Sequence, residues 1–290
     1  LIPQLRSHRP ATQDDIRYAI NKILLGYFKK VVVADNLGPF VNQLYGNVPS
    51  ASGLQYAIAA VLFTVQLFCD FSGYTDIAMG SARLMGVRLM DNFDRPFLST
   101  NLNAAWARWH ISLTSWIGDY VYRPWIRSAP QKAWIITICT FVLIGFWHGP
   151  TWNFILFGLF HGIAMVLQRA YIRYKPLEAF NNTAPMKTFW LVWNNFLLVF
   201  FCIFFRNNAM DAFAIIQHIF SDFRLSMADL RSGYYSEMMM GIFFAVLAVT
   251  TAFFPRSMRF KYDNAYVVGM LLVIFIFGSD ARNQFIYFQF

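Results

Sequence analysis

"FWHGPTWNFILFGLFHG", Phe146 to Gly162, sets two histidines in a run that is otherwise almost wholly apolar. No Asp, Glu, Lys or Arg occurs between Lys132 and Arg169, so the polarity of this stretch rests on His148, His161, Asn153 and the indoles. A charge-free run broken at Gly149-Pro150 suits two apolar helices within a membrane, and composition supports that reading. Of 290 residues, 57% are hydrophobic and 13% charged; ordinary soluble proteins have about 45–50% and about 25%. A hydrocarbon core roughly 30 Å thick needs about 20 mostly apolar residues per helix, because no water reaches the backbone polar groups there.

Uncharged stretches at Gly53–Cys69, Ala133–Trp147, Thr151–Gln168, Thr188–Phe205, Met238–Phe254 and Ala265–Gly278 predict about six spans. Ile16–Asp35 is a weaker seventh, because Lys22, Lys29 and Lys30 interrupt it. The expected fold is therefore all-α: a polytopic integral membrane helical bundle of about six or seven transmembrane helices with short re-entrant or amphipathic helices. The alternating ten-residue segments of a β-barrel are not visible. Residues 1–290 read as one membrane domain, without an internal repeat, low-complexity tract or soluble domain. The opening "LIPQLRSHRP" reads as a loop, so the chain is expected to begin in the middle of a longer protein.

The net charge of +9 does not gather on one face, which argues against nucleic acid as a partner. Short loops rich in Lys and Arg belong on the cytoplasmic side of a membrane. Arg169, Arg173, Lys175 and Lys187 form one basic loop, and Arg256, Arg259 and Lys261 another two spans later. The loop between, from Arg206 to Glu237, is slightly acidic, which puts it outside and the Gly149-Pro150 break toward the outer half of the membrane. Cys69, Cys139 and Cys202 lie in or beside apolar runs without CxxC spacing, so neither a disulfide framework nor a metal site is expected.

Ionisable residues inside membrane spans are functional hypotheses by default. "CDFSGYTDIAMGSARLMGVRL" carries Asp70, Ser72, Tyr74, Thr75 and Asp76 at the end of a span, followed by Arg83 and Arg88. Two readings stand side by side. Either Asp76 pairs with Arg83 or Arg88 to pin a short helix at the surface, or Asp70 and Asp76 take a direct part in substrate binding. In "NAAWARWHISLTSWIGDYVY", Trp106, Trp109, Leu113 and Trp116 recur every three or four residues, an apolar helical stripe with His110 beside it. Alone, His110 would read as structural; two further histidines in the next apolar run make it a site candidate.

Six segments carry a resemblance. "QLFCDFSGYTDIAMGSARLMGV", "NFDRPFLSTNL", "RWHISLTSW", "DYVY", "GFWHGPTWNFILFGLFHG" and the terminal "FIYFQF" resemble, in order, the membrane-bound O-acyltransferase family, in its bacterial alginate O-acetylation branch. The resemblance covers what looks like the C-terminal half to two-thirds of a family member. It implies helices around a funnel or tunnel, with an acyl donor entering from the cytoplasm and an acceptor from the other side. It implies that His148, in the FWHG motif, is catalytic and that His110, 38 residues earlier, is the second site histidine. This chain has Ala107 where relatives commonly carry an arginine, Gly118 in place of another, and "RPWIRSAP" in place of a glycine pair. Those departures bear on donor and partner.

The implied chemistry suits these residue types. A thioester such as acetyl-CoA is already activated, so the enzyme needs a base for the incoming hydroxyl and a donor for the oxyanion. Imidazole, with an ordinary pKa of about 6.5, can be that base. His148 is assigned as general base and His110 as a positioning or oxyanion-stabilising group. Trp147, Trp152, Asn153 and Ser112 are further candidates for the wall of the substrate tunnel. Pro150 should open or kink the helix after His148. His161 is expected to be structural, because thirteen helical residues would place it about 20 Å from His148. His8 and His218 read as loop or interfacial residues.

The implied function is O-acyl transfer, with acetyl from acetyl-CoA passing across the bacterial inner membrane to hydroxyls of an exported polysaccharide, directly or through a periplasmic acetyltransferase partner. No bound cofactor is expected. The same fold with another donor would transfer D-alanine to teichoic acid. A proton-coupled transporter using intramembrane Asp and His is the third reading, against which stands the lack of an inverted repeat.

Overall fold

The structure, a computed structural model, describes residues 2–7, 9–46, 51–174, 178–224 and 264–279, with single positions at 239, 242, 243 and 246. His8 lies outside the described residues, as does almost all of the span expected at Met238–Phe254. The described residues are mostly helical, without a strand and with one isolated antiparallel bridge, Phe93 to Trp109. Contacts gather into two compact units. One comprises Leu1–Asn47, Ala57–Asp91 and Arg224–Phe290; the other comprises Val48–Tyr56 and Asn92–Phe223.

The first unit holds α1 (Ile2–Ser7), α2 (Gln13–Tyr27), a π-helical segment (Phe28–Ala34), α3 (Asp35–Gly46), most of α4 (Gly53–Leu84) and the apolar helix Asn264–Phe277. Thr12 starts α2 through a reciprocal cap. Its hydroxyl accepts from the Asp15 N–H at 3.2 Å, and the Asp15 carboxylate accepts from the Thr12 N–H at 3.1 Å. The hydrogen bonds from Thr12, joined by the guanidinium of Arg83 and the charge of Arg9, hold the Asp15 carboxyl well below the usual carboxylate range. Where α2 meets α4 the backbones nearly touch: a Cβ on Gly73 would lie 2.7 Å from the Gly26 carbonyl oxygen.

The span expected to stop at Cys69 runs on to Leu84 as one helix of 32 residues. Its acidic residues therefore sit within a long helix and not at a surface end. They are tolerated because lysines meet them: Lys30 Nζ lies 2.6 Å from Asp70, and Lys22 and Lys29 each lie 2.6 Å from Asp76. The expected pairing of Asp76 with Arg83 or Arg88 is corrected, since both arginines turn to Asp15, at 3.1 and 3.6 Å. The lysines that interrupt Ile16–Asp35 are thus the partners of the α4 carboxylates.

The second unit runs through α5 (Leu102–Trp106), α6 (Ile111–Ile117), a second π-helical segment (Gly118–Tyr122), α7 (Arg123–Ser128), α8 (Ala133–His148), α9 (Trp152–Arg173), α10 (Glu178–Asn181), α11 (Ala184–Arg206) and α12 (Ala209–Ser221). Helices α8 and α9 form a tight hairpin. Gly145 faces the Phe154 backbone and Gly158 the Phe141 backbone, so closely that neither leaves room for a Cβ. A buried amide chain ties the loop before α5 to the hairpin. Gln168 Oε1 accepts from the Leu102 N–H at 2.7 Å, Gln168 Nε2 donates to Asn194 Oδ1 at 2.8 Å, and Asn194 Nδ2 donates to the Ser99 carbonyl at 3.3 Å.

Among the described residues four helical stretches are long and apolar enough to cross a membrane: Gly53–Leu84, Pro130–His148, Trp152–Arg173 and Ala184–Arg206. Asn264–Phe277 is apolar but shorter. The protein is an all-α, multi-pass membrane bundle, as its composition requires. One helix expected from periodicity is not continuous. The stripe Trp106, Trp109, Leu113, Trp116 breaks between α5 and α6, with Trp109 in the bridge to Phe93. His218, expected to be a loop or interfacial residue, lies on α12, where its ring meets Tyr56 at 5.9 Å.

Candidate active site

His110 stands at the break between α5 and α6, in the left-handed conformation at φ 48° and ψ 52°. For a residue with a Cβ this conformation is disfavoured by about 1–2 kcal/mol, and such residues persist only where the surroundings hold them. The segment from Asn92 to Asp94 does the holding. The Ile111 N–H donates to the Asn92 carbonyl at 2.9 Å, the Asp94 N–H donates to the Arg108 carbonyl at 3.0 Å, and Phe93 bridges to Trp109.

Asn92 also takes over the capping of α6. Its Oδ1 accepts from the Ser112 N–H at 3.0 Å and from the Ser112 hydroxyl at 2.9 Å. The side chain of His110, although at the N-cap position, makes no capping bond. Because Asn92 satisfies the helix end, the imidazole is spared that work. Burial pushes the His110 imidazole down to about 4, so it is neutral at physiological pH.

His148 is the last residue of α8. The Gly149-Pro150 break ends the helix and does not merely kink it, and α9 restarts at Trp152. The His148 ring lies among aromatic rings, with centroids 4.9 Å from Trp147 and 4.9 Å from Phe205. Gly149 allows the turn to close: a Cβ there would lie 2.8 Å from the Phe154 ring. Trp147 connects the two histidines, its indole meeting His110 edge-on at 5.7 Å.

The remaining candidates fall around this pair or away from it. Trp147 is 53% exposed and Trp152, at the start of α9, 72% exposed. Asn153 Nδ2 donates to the Phe204 carbonyl at 3.1 Å, fastening α9 to α11, and Ser112 serves the α6 cap. Asp70 and Asp76 belong to the other unit, engaged by lysines. His161 is buried in an aromatic cage with Phe157 at 4.5 Å and Phe201 at 4.7 Å, and Phe157 also contacts His148 at 6.4 Å.

Sequence reasoning missed Asn92, whose only signal was its place at the head of the "NFDRPF" segment. It also missed a cavity of about 470 Å³ in the same unit. Ile111, next to His110, and Ile144, one turn before His148, line that cavity.

Comparison with known proteins follows the same lines. The model of the membrane-bound O-acyltransferase family matches residues 3–210. A probable alginate O-acetylase of Azotobacter vinelandii is 36% identical over 166 residues, 57% of this chain and 33% of the relative. A peptidoglycan O-acetyltransferase of Helicobacter pylori is 35% identical over 196 residues, 67% of this chain and 37% of the relative. A teichoic acid D-alanyltransferase of Streptococcus thermophilus is 32% identical over 179 residues, 55% of this chain and 42% of the relative. The chain thus spans well under half the length of these relatives. With the family model covering most of its residues, the chain belongs to the membrane-bound O-acyltransferase family.

Proposed function

We propose that the protein carries the histidine site of a membrane-bound O-acyltransferase, which moves an acetyl group from acetyl-CoA to hydroxyls of an exported polysaccharide in the bacterial inner membrane. The observation that supports this most is the convergence of His148, at a helix end, and a conformationally held, neutral His110 on one indole.

In this reading His148 accepts the proton of the acceptor hydroxyl as its oxygen attacks the thioester carbonyl. The tetrahedral oxyanion takes a hydrogen bond from the N–H of neutral His110. The C–S bond then breaks, and the leaving thiolate recovers the proton from His148. Exposed Trp147 and Trp152 offer apolar faces to an incoming sugar ring. Asn153, Ser112 and Asn92 keep the helices in register around the site. Asp70 and Asp76 act through the ion pairs that hold α4. The names of two relatives support a glycan acceptor; in this reading the acetyl group reaches it directly or through a periplasmic acetyltransferase partner.

A second reading, D-alanyl transfer to teichoic acid, draws on the D-alanyltransferase relatives. The test uses the full-length protein in membrane vesicles, following labelled acetyl from acetyl-CoA into polysaccharide, and labelled D-alanine from a loaded carrier protein in parallel. Wild type should transfer acetyl, and His148→Ala and His110→Ala should each lower transfer by about 10²–10⁴-fold at matched expression. Undiminished transfer by His148→Ala overturns the base assignment, and transfer only from the D-alanyl carrier selects the second reading. A thioester left intact by wild type points instead to a transporter.

A further inference from the structure

We infer that the turn closing α4, together with α1 and the residues before α2, binds an anionic phospholipid, whose phosphate sits at Arg9 and Arg88. All of these residues belong to the first unit, and the inference does not depend on the acyl-transfer reading. Helix α4 stops where Gly86 turns left-handed at φ 75°, and the Val87 N–H returns to the Ala82 carbonyl at 2.9 Å. A Cβ on Gly86 would have no room against the Arg9 carbonyl, so the segment before α2 rests directly on this turn. Helix α1 is fastened beside it. Gln4 Nε2 donates to the Arg88 carbonyl at 3.1 Å, and Gln4 Oε1 accepts from the Arg88 N–H at 2.8 Å.

Three guanidiniums then converge on one carboxylate: Arg83, Arg9 and Arg88 lie 3.1, 3.4 and 3.6 Å from Asp15. Arg83 is the inner one, packed over the Tyr18 ring at 4.3 Å, while the side chains of Arg9 and Arg88 are 48% and 53% exposed. The neighbouring carboxylates have cations of their own, Asp14 with Arg17 and Asp91 with Lys22, each at 3.8 Å. Among the described residues, three positive charges thus face a single negative one, and the surplus lies on the two outward guanidiniums. Arg6, in the last turn of α1, adds to it. Such a pair suits a phosphate, whose oxygens match the guanidinium fork.

The apolar surroundings and their depth make a lipid the carrier of that phosphate. Ile2 and Leu5, one turn apart on α1, and Leu84, Met85, Leu89 and Met90 around the turn are all exposed, Met85 at 74%. Helix α4 has 32 residues, about 48 Å of length, against about 40–45 Å for a bilayer with its headgroup layers. Its end therefore lies at headgroup level, where acyl chains cover apolar side chains while phosphates reach the arginines. The start of α4 is held on the other side. There the Gly53 N–H donates to the Asp222 carbonyl at 2.9 Å, in the loop whose acidic character puts it outside. The end of α4 is then cytoplasmic, the side on which basic residues gather and anionic lipids attract them.

The test titrates lipid into the full-length protein in detergent and counts bound copies by native mass spectrometry. Wild type should bind phosphatidylglycerol more tightly than phosphatidylcholine; equal affinity for the two overturns the site. Arg9→Gln with Arg88→Gln should weaken the first phosphatidylglycerol by about 10- to 30-fold, at roughly fivefold for each charge lost near a headgroup, and leave phosphatidylcholine unchanged. Lysine at both positions should keep most of the affinity. Arg127→Gln with Lys132→Gln removes two exposed charges of the other unit and should change nothing. A loss as large as that of the first pair shows diffuse attraction to a basic protein and overturns the site. Because Arg9 and Arg88 also hold Asp15, Met85→Ser supplies a variant that keeps every ion pair, and it should weaken phosphatidylglycerol by about threefold or more. Unaltered phosphatidylglycerol binding in either variant overturns the site. Glycerol phosphate, which has the phosphate without acyl chains, should compete only weakly. If it displaces the lipid at equal concentration, the site takes a soluble phosphate and the lipid assignment falls.

Discussion

His110 and Trp147 meet edge to face with ring centroids 5.7 Å apart, which joins the α5–α6 break to the last turn of α8. The same indole contacts His148 at 4.9 Å, so one side chain touches both imidazoles. Trp147→Ala should therefore lower kcat by about 10-fold or more, while Trp147→Phe should retain most of it. Because Trp147 is half exposed, the melting temperature should hardly move. Transfer kinetics beside a thermal melt in nanodiscs check both halves.

Asn92→Ala should act on His110 without touching it. The substitution removes the acceptor for the Ser112 N–H and hydroxyl and leaves the end of α6 uncapped, at a cost of about 1 kcal/mol. With the clamp loosened, the left-handed conformation of His110 loses its support, and kcat should fall more than KM rises. Asn92→Asp, which keeps the acceptor, should recover stability. If both variants keep full kcat, the clamp does not position His110.

Acid should destabilise the protein through His110. Its pKa is about 4 in the fold, against an ordinary value near 6.5. The unfolded chain therefore binds the proton first as pH falls. The stabilising contribution is complete above about 6.5, declines between about 6.5 and about 4, and is gone below. Melting temperatures of wild type and His110→Gln across this window should converge toward acid. Parallel curves would show that His110 is not buried neutral.

Asp76 holds two lysines. Asp76→Ala should strand Lys29 in a largely buried place, leave Lys22 only Asp91 at 3.8 Å, and destabilise by about 3–5 kcal/mol. Asp76→Glu should lose less. Expression and thermal melts give the answer, and a reading of Asp76 as a substrate ligand predicts the opposite pattern, a raised KM with normal stability.

Much of the fold was legible because membrane burial writes itself into composition. The hairpin α8–α9 follows from a charge-free run with one Gly-Pro break, and His148 lies at that break. Periodicity misled where backbone geometry decided: the Trp106 to Trp116 spacing fits one helix, yet His110 turns left-handed and splits it. The end of α4 was misjudged for a related reason. A carboxylate in an apolar run reads as the end of a span unless its partners are known, and Lys22, Lys29 and Lys30 lie 40 to 54 residues upstream.

The sequence by itself determined that this chain is an all-α membrane bundle with His148 at a helix break. Those features depend on local quantities: apolar run length, absence of charge, and the missing N–H of Pro150. Only the tertiary structure decided which groups meet. Asn92 reaches Ser112 across twenty residues, Arg169 finds Asn103 and Tyr122, and the lysines of the first unit reach Asp70 and Asp76. Each of these partners is chosen by packing between distant segments, where an unmatched polar group in a dry interior is too unfavourable to leave alone, and no local pattern records that choice.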